Sequence, residues 1–213
     1  MRYKKMVFVT FMSVFIVMAT QPYLWSGVPA KIVEDIIHND SSSVSGEKTP
    51  QEETELWEKI SPSFHFEEMA RMSLGEQWRN LYPKQQEEFM RLFTKNLKSS
   101  YLRNTTHIFI DKILSIEEKQ GKNHAKVQTE LLTRRGKEIS AVFYLLNKNE
   151  NWKIYDINIE GVSLISNYHS QFQSVIVHSS YDGLIQKMRQ KHDKDYLLSG
   201  YELLVQEQAK RTY

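Results

Sequence analysis

Three successive stretches between Lys122 and Ile159 alternate their side chains with a period of two. In Lys122–Thr133, Ala125, Val127, Thr129 and Leu131 share one side, and Lys126, Gln128 and Glu130 the other. Lys137–Asn147 sets Ile139, Ala141, Phe143 and Leu145 against Val142, Tyr144 and Leu146. Trp152–Ile159 sets Trp152, Ile154 and Asp156 against Lys153, Tyr155, Ile157 and Ile159, with a slip in the alternation near Asn158. Successive side chains of a strand point to opposite faces, so this period predicts strands. Short turns, marked by Arg135-Gly136 and by Asn147–Asn151, join the three stretches. Parallel neighbours need a crossover of a dozen or more residues, so these strands are antiparallel. His107–Glu117, with its Ile and Phe run before a turn at Gly121, supplies a fourth strand. Lys137–Asn147 is apolar on both sides, which predicts a central strand or one covered twice.

At Glu160-Gly161 the alternation stops. From Val162 the apolar residues change to helical spacing: Val162, Ile165, Tyr168, Phe172, Val175 and Ile176. A strand therefore runs through one glycine into an amphipathic helix, and a sharp turn there suits a residue without Cβ. Upstream, Val28–His38 and Glu52–Ile60 read as short helices, with a polar, Ser-rich loop Asn39–Gln51 between them. Ser61-Pro62-Ser63 separates these from a helix Phe64–Leu74 that ends at Gly75. Pro83 opens a long helix to Asn104, with Phe89, Leu92, Phe93, Leu97, Tyr101 and Leu102 in its apolar stripe. Asp182 is placed to cap a last helix, Gly183–Lys191. The result is an α+β domain: an antiparallel four-stranded curved sheet with amphipathic helices packed on it.

Met1–Ala19 has the form of a secretory leader, with Arg2, Lys4 and Lys5 before the apolar run Met6–Ala19. No charge occurs from Met6 to Ala30, which is also long enough for an uncleaved anchor in the inner membrane. Either reading places the domain, residues 28–191, outside the cytoplasm. Residues 192–213 form an extension in which Leu197, Leu198, Tyr201, Leu203, Leu204 and Val205 could make an extra helix. Of 28 basic residues, three lie in the leader, which leaves 25 against 26 acidic ones. A near-neutral chain offers no electrostatic case for nucleic acid. There is no cysteine, hence no disulfide framework and no thiolate metal site.

Motifs of covalent chemistry are absent: no GxSxG, P-loop, HExxH or EF-hand loop occurs. The seven histidines lack the spacing of metal ligands. His169, near the apolar stripe of its helix, could approach the polar end of a bound ligand, but reads better as an interfacial side chain with a satisfied polar end. Asp156 and Glu160 flank the end of an apolar strand, where burial raises a carboxyl pKa. One reading makes Asp156 a base. The other has it bond a nearby loop or pair with Arg71 while Glu160 shapes the junction. With no nucleophile or partner base in view, the second is preferred. Large adaptable groups (Met69, Met72, Trp78, Phe89, Met90, Phe93, Tyr101, Phe143, Tyr144, Tyr155 and Phe172) suit either a filled core or a pliable pocket.

Three blocks carry a family resemblance: FHFEEMARMSLGEQWRNLYPKQQEEFMRLF (Phe64–Phe93), YDINIEGVSLISNYHSQF (Tyr155–Phe172) and YDGLIQKM (Tyr181–Met188). In this order they resemble the periplasmic phospholipid-binding proteins of the Mla lipid-transport system, the MlaC or toluene-tolerance family. The resemblance covers Phe64–Lys191, and more loosely Val28–Ile60. Departures are His169, where the family usually has Arg, and Tyr82 before Pro83, where Thr or Ser is usual. The resemblance implies a pocket for acyl chains. Its expected lining is Met69, Met72, Trp78, Phe89, Phe93, Leu97 and Tyr101 from helices, and Val142, Tyr144, Leu146, Tyr155 and Ile157 from strands. Val162, Ile165 and Phe172 complete it beyond the glycine. It further implies a monomeric periplasmic carrier without cofactor, metal or nucleic acid. Such a carrier shuttles phospholipid, or another lipid such as a hopanoid, between an outer-membrane lipoprotein complex and an inner-membrane ABC lipid transporter complex. An enzyme on a cone-shaped α+β fold, with Asp156 as base, is the alternative.

Overall fold

The computed structural model describes residues 27–41, 49–105 and 110–190. The leader expected at Met1–Ala19 and the extension at 192–213 lie outside the described residues. Helix α1 spans Val28–Ser41 and α2 spans Pro50–Ile60. The expected loop Asn39–Gln51 is therefore helical at both ends. Thr49 starts α2 with a reciprocal capping box: its hydroxyl accepts from the Glu52 N–H, and the Glu52 carboxylate accepts from the Thr49 N–H. A 3₁₀ turn, Ser61–Ser63, leads to α3, Phe66–Leu74. Gly75, at φ 60°, closes α3, and a second 3₁₀ segment runs Gly75–Asn80. The long α4 is Pro83–Thr105.

Strands β1 (Ile110–Gln120), β2 (His124–Thr133), β3 (Glu138–Lys148), β4 (Asn151–Ile159) and β5 (Val162–Ser163) pair in chain order, each antiparallel to the next. The α+β class and the meander follow the expectation from sequence. The fifth strand does not: Val162 and Ser163 fold back on Ile159 and Asn158 before the helix begins. Two positive-φ residues, Glu160 at 51° and Gly161 at 88°, make that reversal. The slip in β4 also lies earlier than expected. Leu145 faces Ile154 and Tyr144 faces Asp156, so Tyr155 is the extra residue of a bulge. The bulge returns Ile157 to the same face as Ile154, where both are buried.

Helix α5, Leu164–Gln190, is broken at Ser180, whose backbone is non-helical at φ 70° and ψ 172°. Its second half is capped by Ser180 rather than by Asp182: the Ser180 hydroxyl accepts from the Gly183 N–H at 3.4 Å. The helices cover one face of the sheet. Ala125, Val127, Ile139, Ala141, Phe143, Leu145, Trp152 and Ile154 are buried there. The alternate residues Lys126, Gln128, Ser140, Val142, Tyr144 and Leu146 stay half-exposed on the other face. β3 is thus central, as its composition requires, but covered on one side. Between α4 and α5 lies an aromatic layer: Phe93 meets Tyr168 at 5.3 Å, Phe89 meets Phe172 at 5.6 Å, and Tyr168 meets Phe172 at 5.5 Å. Among the described residues no helix is long and apolar enough to cross a membrane.

Candidate functional site: an apolar cleft under helix α2

The short β5 leaves the first half of β4 without a strand partner on that side. The chain entering α3 fills the gap. The His65 N–H donates to the Ile154 carbonyl at 2.8 Å, and Phe64 forms a parallel bridge with Ile154. Covering a bare edge satisfies its backbone groups. It also fixes Phe64 and Phe66 beside the sheet. His65 then starts α3, its Nδ1 accepting from the Glu68 N–H at 3.3 Å.

Above this edge, α2 lays Trp57 on Phe66, ring centres 5.6 Å apart, and on Tyr101 of α4 at 6.3 Å. Phe64 and Phe66 stack at 5.9 Å. Below them a cleft remains, lined by Trp57, Phe64, Phe66, Leu97, Ser100, Tyr101, Ile157, Leu164 and Tyr168. Ser100 is the one lining residue whose side chain is not an aliphatic chain or an aromatic ring. The cleft encloses about 430 Å³ including its open mouth, yet its interior has room for little more than one water. Leu97, Ile157, Leu164 and Tyr168 are buried, while Trp57, Phe66 and Tyr101 are half-buried, so the aromatic side is the solvent side. A narrow apolar slot of this kind holds hydrocarbon only if its walls part. No titratable group lies among the lining residues other than the two tyrosines, so the site offers burial rather than proton transfer.

Of the residues expected from sequence, Leu97, Tyr101 and Ile157 line the cleft. Phe89, Phe93 and Phe172 sit in the aromatic layer behind it. Met69 and Ile165 are buried in the core, and Met72 packs against it. Trp78 stands edge-on to Phe89 at 6.3 Å. Val162 belongs to β5 and is half-buried. Val142, Tyr144, Leu146 and Tyr155 are on the other face of the sheet, where Tyr144 and Tyr155 meet at 6.3 Å. They cannot share a cavity with Phe143 and Leu145, because one strand presents alternate residues to opposite faces. The lining expected from sequence does not include Trp57, Phe64, Phe66, Ser100, Leu164 or Tyr168, although Tyr168 is in the apolar stripe of its helix. The dense aromatic run from Trp57 to Phe66 was the available signal.

Asp156 is buried beside the cleft without lining it. Its carboxylate accepts from the Ser163 hydroxyl at 2.6 Å and from the N–H groups of Ile157 at 2.8 Å and Ile165 at 3.0 Å. Burial pushes its pKa up, and these three bonds pull it back down in part. Ser163 in turn accepts from the Ser166 N–H at 3.0 Å. Together they cap the first turn of α5. Arg71 is not its partner: that guanidinium pairs with Glu68 one turn back on α3. Glu160 binds back onto β3, its carboxylate accepting from the Ser140 N–H at 2.6 Å. His169 sets Nδ1 3.3 Å from the Ser73 carbonyl, and Gln173 donates to the Leu74 carbonyl at 3.0 Å. These two α5 side chains cap the end of α3, so His169 is an interfacial side chain with its polar end engaged. Among the described residues, no three His, Asp or Glu side chains gather as a metal site would require.

Residues 30–190 match the family model described as MlaC protein. The fold is similar to that of a solved protein from Ralstonia solanacearum, described as a phospholipid-binding protein in complex with a phospholipid. That likeness has a TM-score of 0.62 at 22% identity and covers 75% of this chain and 91% of the other, which speaks for the fold. A search of curated proteins returns no match.

Proposed function

This chain belongs to the MlaC protein family, and from that premise we propose that it is a lipid carrier whose cleft takes up phospholipid acyl chains. The observation that carries the reading is the cleft itself: nine lining residues, eight of them aliphatic or aromatic, meeting at a mouth built of Trp57, Phe66 and Tyr101. Each methylene moved from water into such a slot gains about 0.8 kcal/mol. A carrier competes with a bilayer only by burying the chain about as well, while the head group stays at solvent. A methylene fills roughly the volume of one water, about 30 Å³. Two full acyl chains thus exceed the present space, and uptake requires α2 to move off α4 and β4. Asp156, fully engaged in holding the strand–helix junction, gives no support to a base role. The proposed mode of action is binding and release without covalent chemistry.

By the same family resemblance, the proposed setting is the periplasm. There the carrier passes phospholipid between an outer-membrane lipoprotein complex and an inner-membrane ABC lipid transporter. The solved Ralstonia protein, with its bound phospholipid, supports the ligand class. Native mass spectrometry of purified protein, delipidated and then exposed to phospholipid vesicles, tests the proposal. The expected result is a complex retaining phospholipid. A folded protein that never retains lipid would overturn it.

A further inference from the structure

We infer that Lys98 is the head-group residue of this cleft, and that it gives the chain a preference for lipids whose head group is a phosphodiester with no compensating cation. The inference rests on the carrier reading above. Lys98 follows the lining residue Leu97 on α4 and stands one turn before the lining residue Tyr101. Its ammonium lies 6.0 Å from the centre of the Trp57 ring, in the wall on the solvent side. A lipid that enters tail first toward Leu97, Ile157 and Tyr168 leaves its head group at that end.

The charge there is uncommitted. Helix α2 carries Glu52, Glu53, Glu55 and Glu58, yet no ion pair among the described residues includes Lys98. An ammonium has three N–H donors, and attraction to a ring face uses charge rather than an acceptor lone pair. A phosphate oxygen at the mouth therefore meets a cation already held in place by the aromatic wall. A zwitterionic head group brings its own ammonium and gains less from Lys98. Exposed ion contacts are weak and screened by salt, so the preference is a factor of a few, largest at low ionic strength.

The test uses the full chain, delipidated and incubated with vesicles of equal parts phosphatidylglycerol and phosphatidylethanolamine. The protein is re-isolated and its lipid counted by mass spectrometry. Native protein is expected to enrich phosphatidylglycerol about two- to fivefold at low salt, less at high salt. Lys98→Gln should return the ratio of the lipid that is bound to that of the vesicle. Lys98→Arg should keep the enrichment and Lys98→Glu should reverse it. Bound lipid with no enrichment, or enrichment that survives Lys98→Gln, overturns the inference and leaves the carrier reading standing. Recovery of no lipid with any of the proteins overturns both, a result distinct from the first.

Discussion

Gly161 has φ 88° with open space where a Cβ would go, so substitution there meets only the backbone penalty. That penalty is about 1–2 kcal/mol for a residue with Cβ, and Gly161→Val is expected to lower the thermal midpoint by several degrees. Gly75 adds a steric term. A Cβ there would lie 2.7 Å from His169 Cε1, at φ 60°. Gly75→Ala should therefore cost more than Gly161→Ala, and His169→Ala should recover part of the excess in a double-mutant cycle. Equal costs at the two glycines would mean that His169 yields freely. Asp156 makes a pH prediction. Its folded pKa is raised, so the folded state holds this proton more tightly than the unfolded chain, where the value is about 3.9. The corresponding stability is complete below that value and is lost as pH rises through the raised one. Urea unfolding from pH 4 upward should show this loss in native protein and not in Asp156→Asn. A native advantage that instead grows across that window would contradict the assignment.

Elements were more legible than their mutual faces. Alternation in Lys137–Asn147 identified which residues of β3 go together, since a period of two is a local property. Which of the two faces the helices would cover is not local, and so Val142, Tyr144 and Leu146 were grouped with residues from which the sheet separates them. The entry to the cleft was hidden for a similar reason. Phe64 and Phe66 reach it through the bridge to Ile154, a pairing 90 residues apart in the chain, and nothing near Phe64 announces it. The strand–glycine–helix unit was readable because the period changes at one point, although β5 and the bulge at Tyr155 shifted its details. A direct consequence concerns α4. Phe93 is fully buried in the aromatic layer, so Phe93→Ala should cost about 3–5 kcal/mol in delipidated protein. Tyr144→Ala, on the uncovered face, should cost about 1 kcal/mol or less and leave lipid retention unchanged. Loss of lipid in a stable Tyr144→Ala protein would place the site on the wrong face of the sheet.

At the scale of the described residues, a one-sided sheet and five helices packed with an aromatic layer leave the slot lined by Trp57, Leu97 and Ile157, and α2 closes it. Trp57 of α2 meets Tyr101 and the Lys98 ammonium of α4, and its ring also stacks on Phe66 of α3. If the cleft takes up acyl chains, Trp57 is the first side chain that an entering chain displaces. The chain has four tryptophans and no cysteine, so fluorescence can follow that event without labelling the protein. The decisive measurement is quenching of tryptophan fluorescence by phospholipid brominated along its acyl chains, in delipidated native protein, Trp57→Phe and Trp78→Phe. Strong quenching is expected in native protein and in Trp78→Phe, and its near loss in Trp57→Phe while lipid still binds. Quenching that persists undiminished in Trp57→Phe, with lipid bound, would show that the acyl chains lie elsewhere and would contradict the cleft as the site.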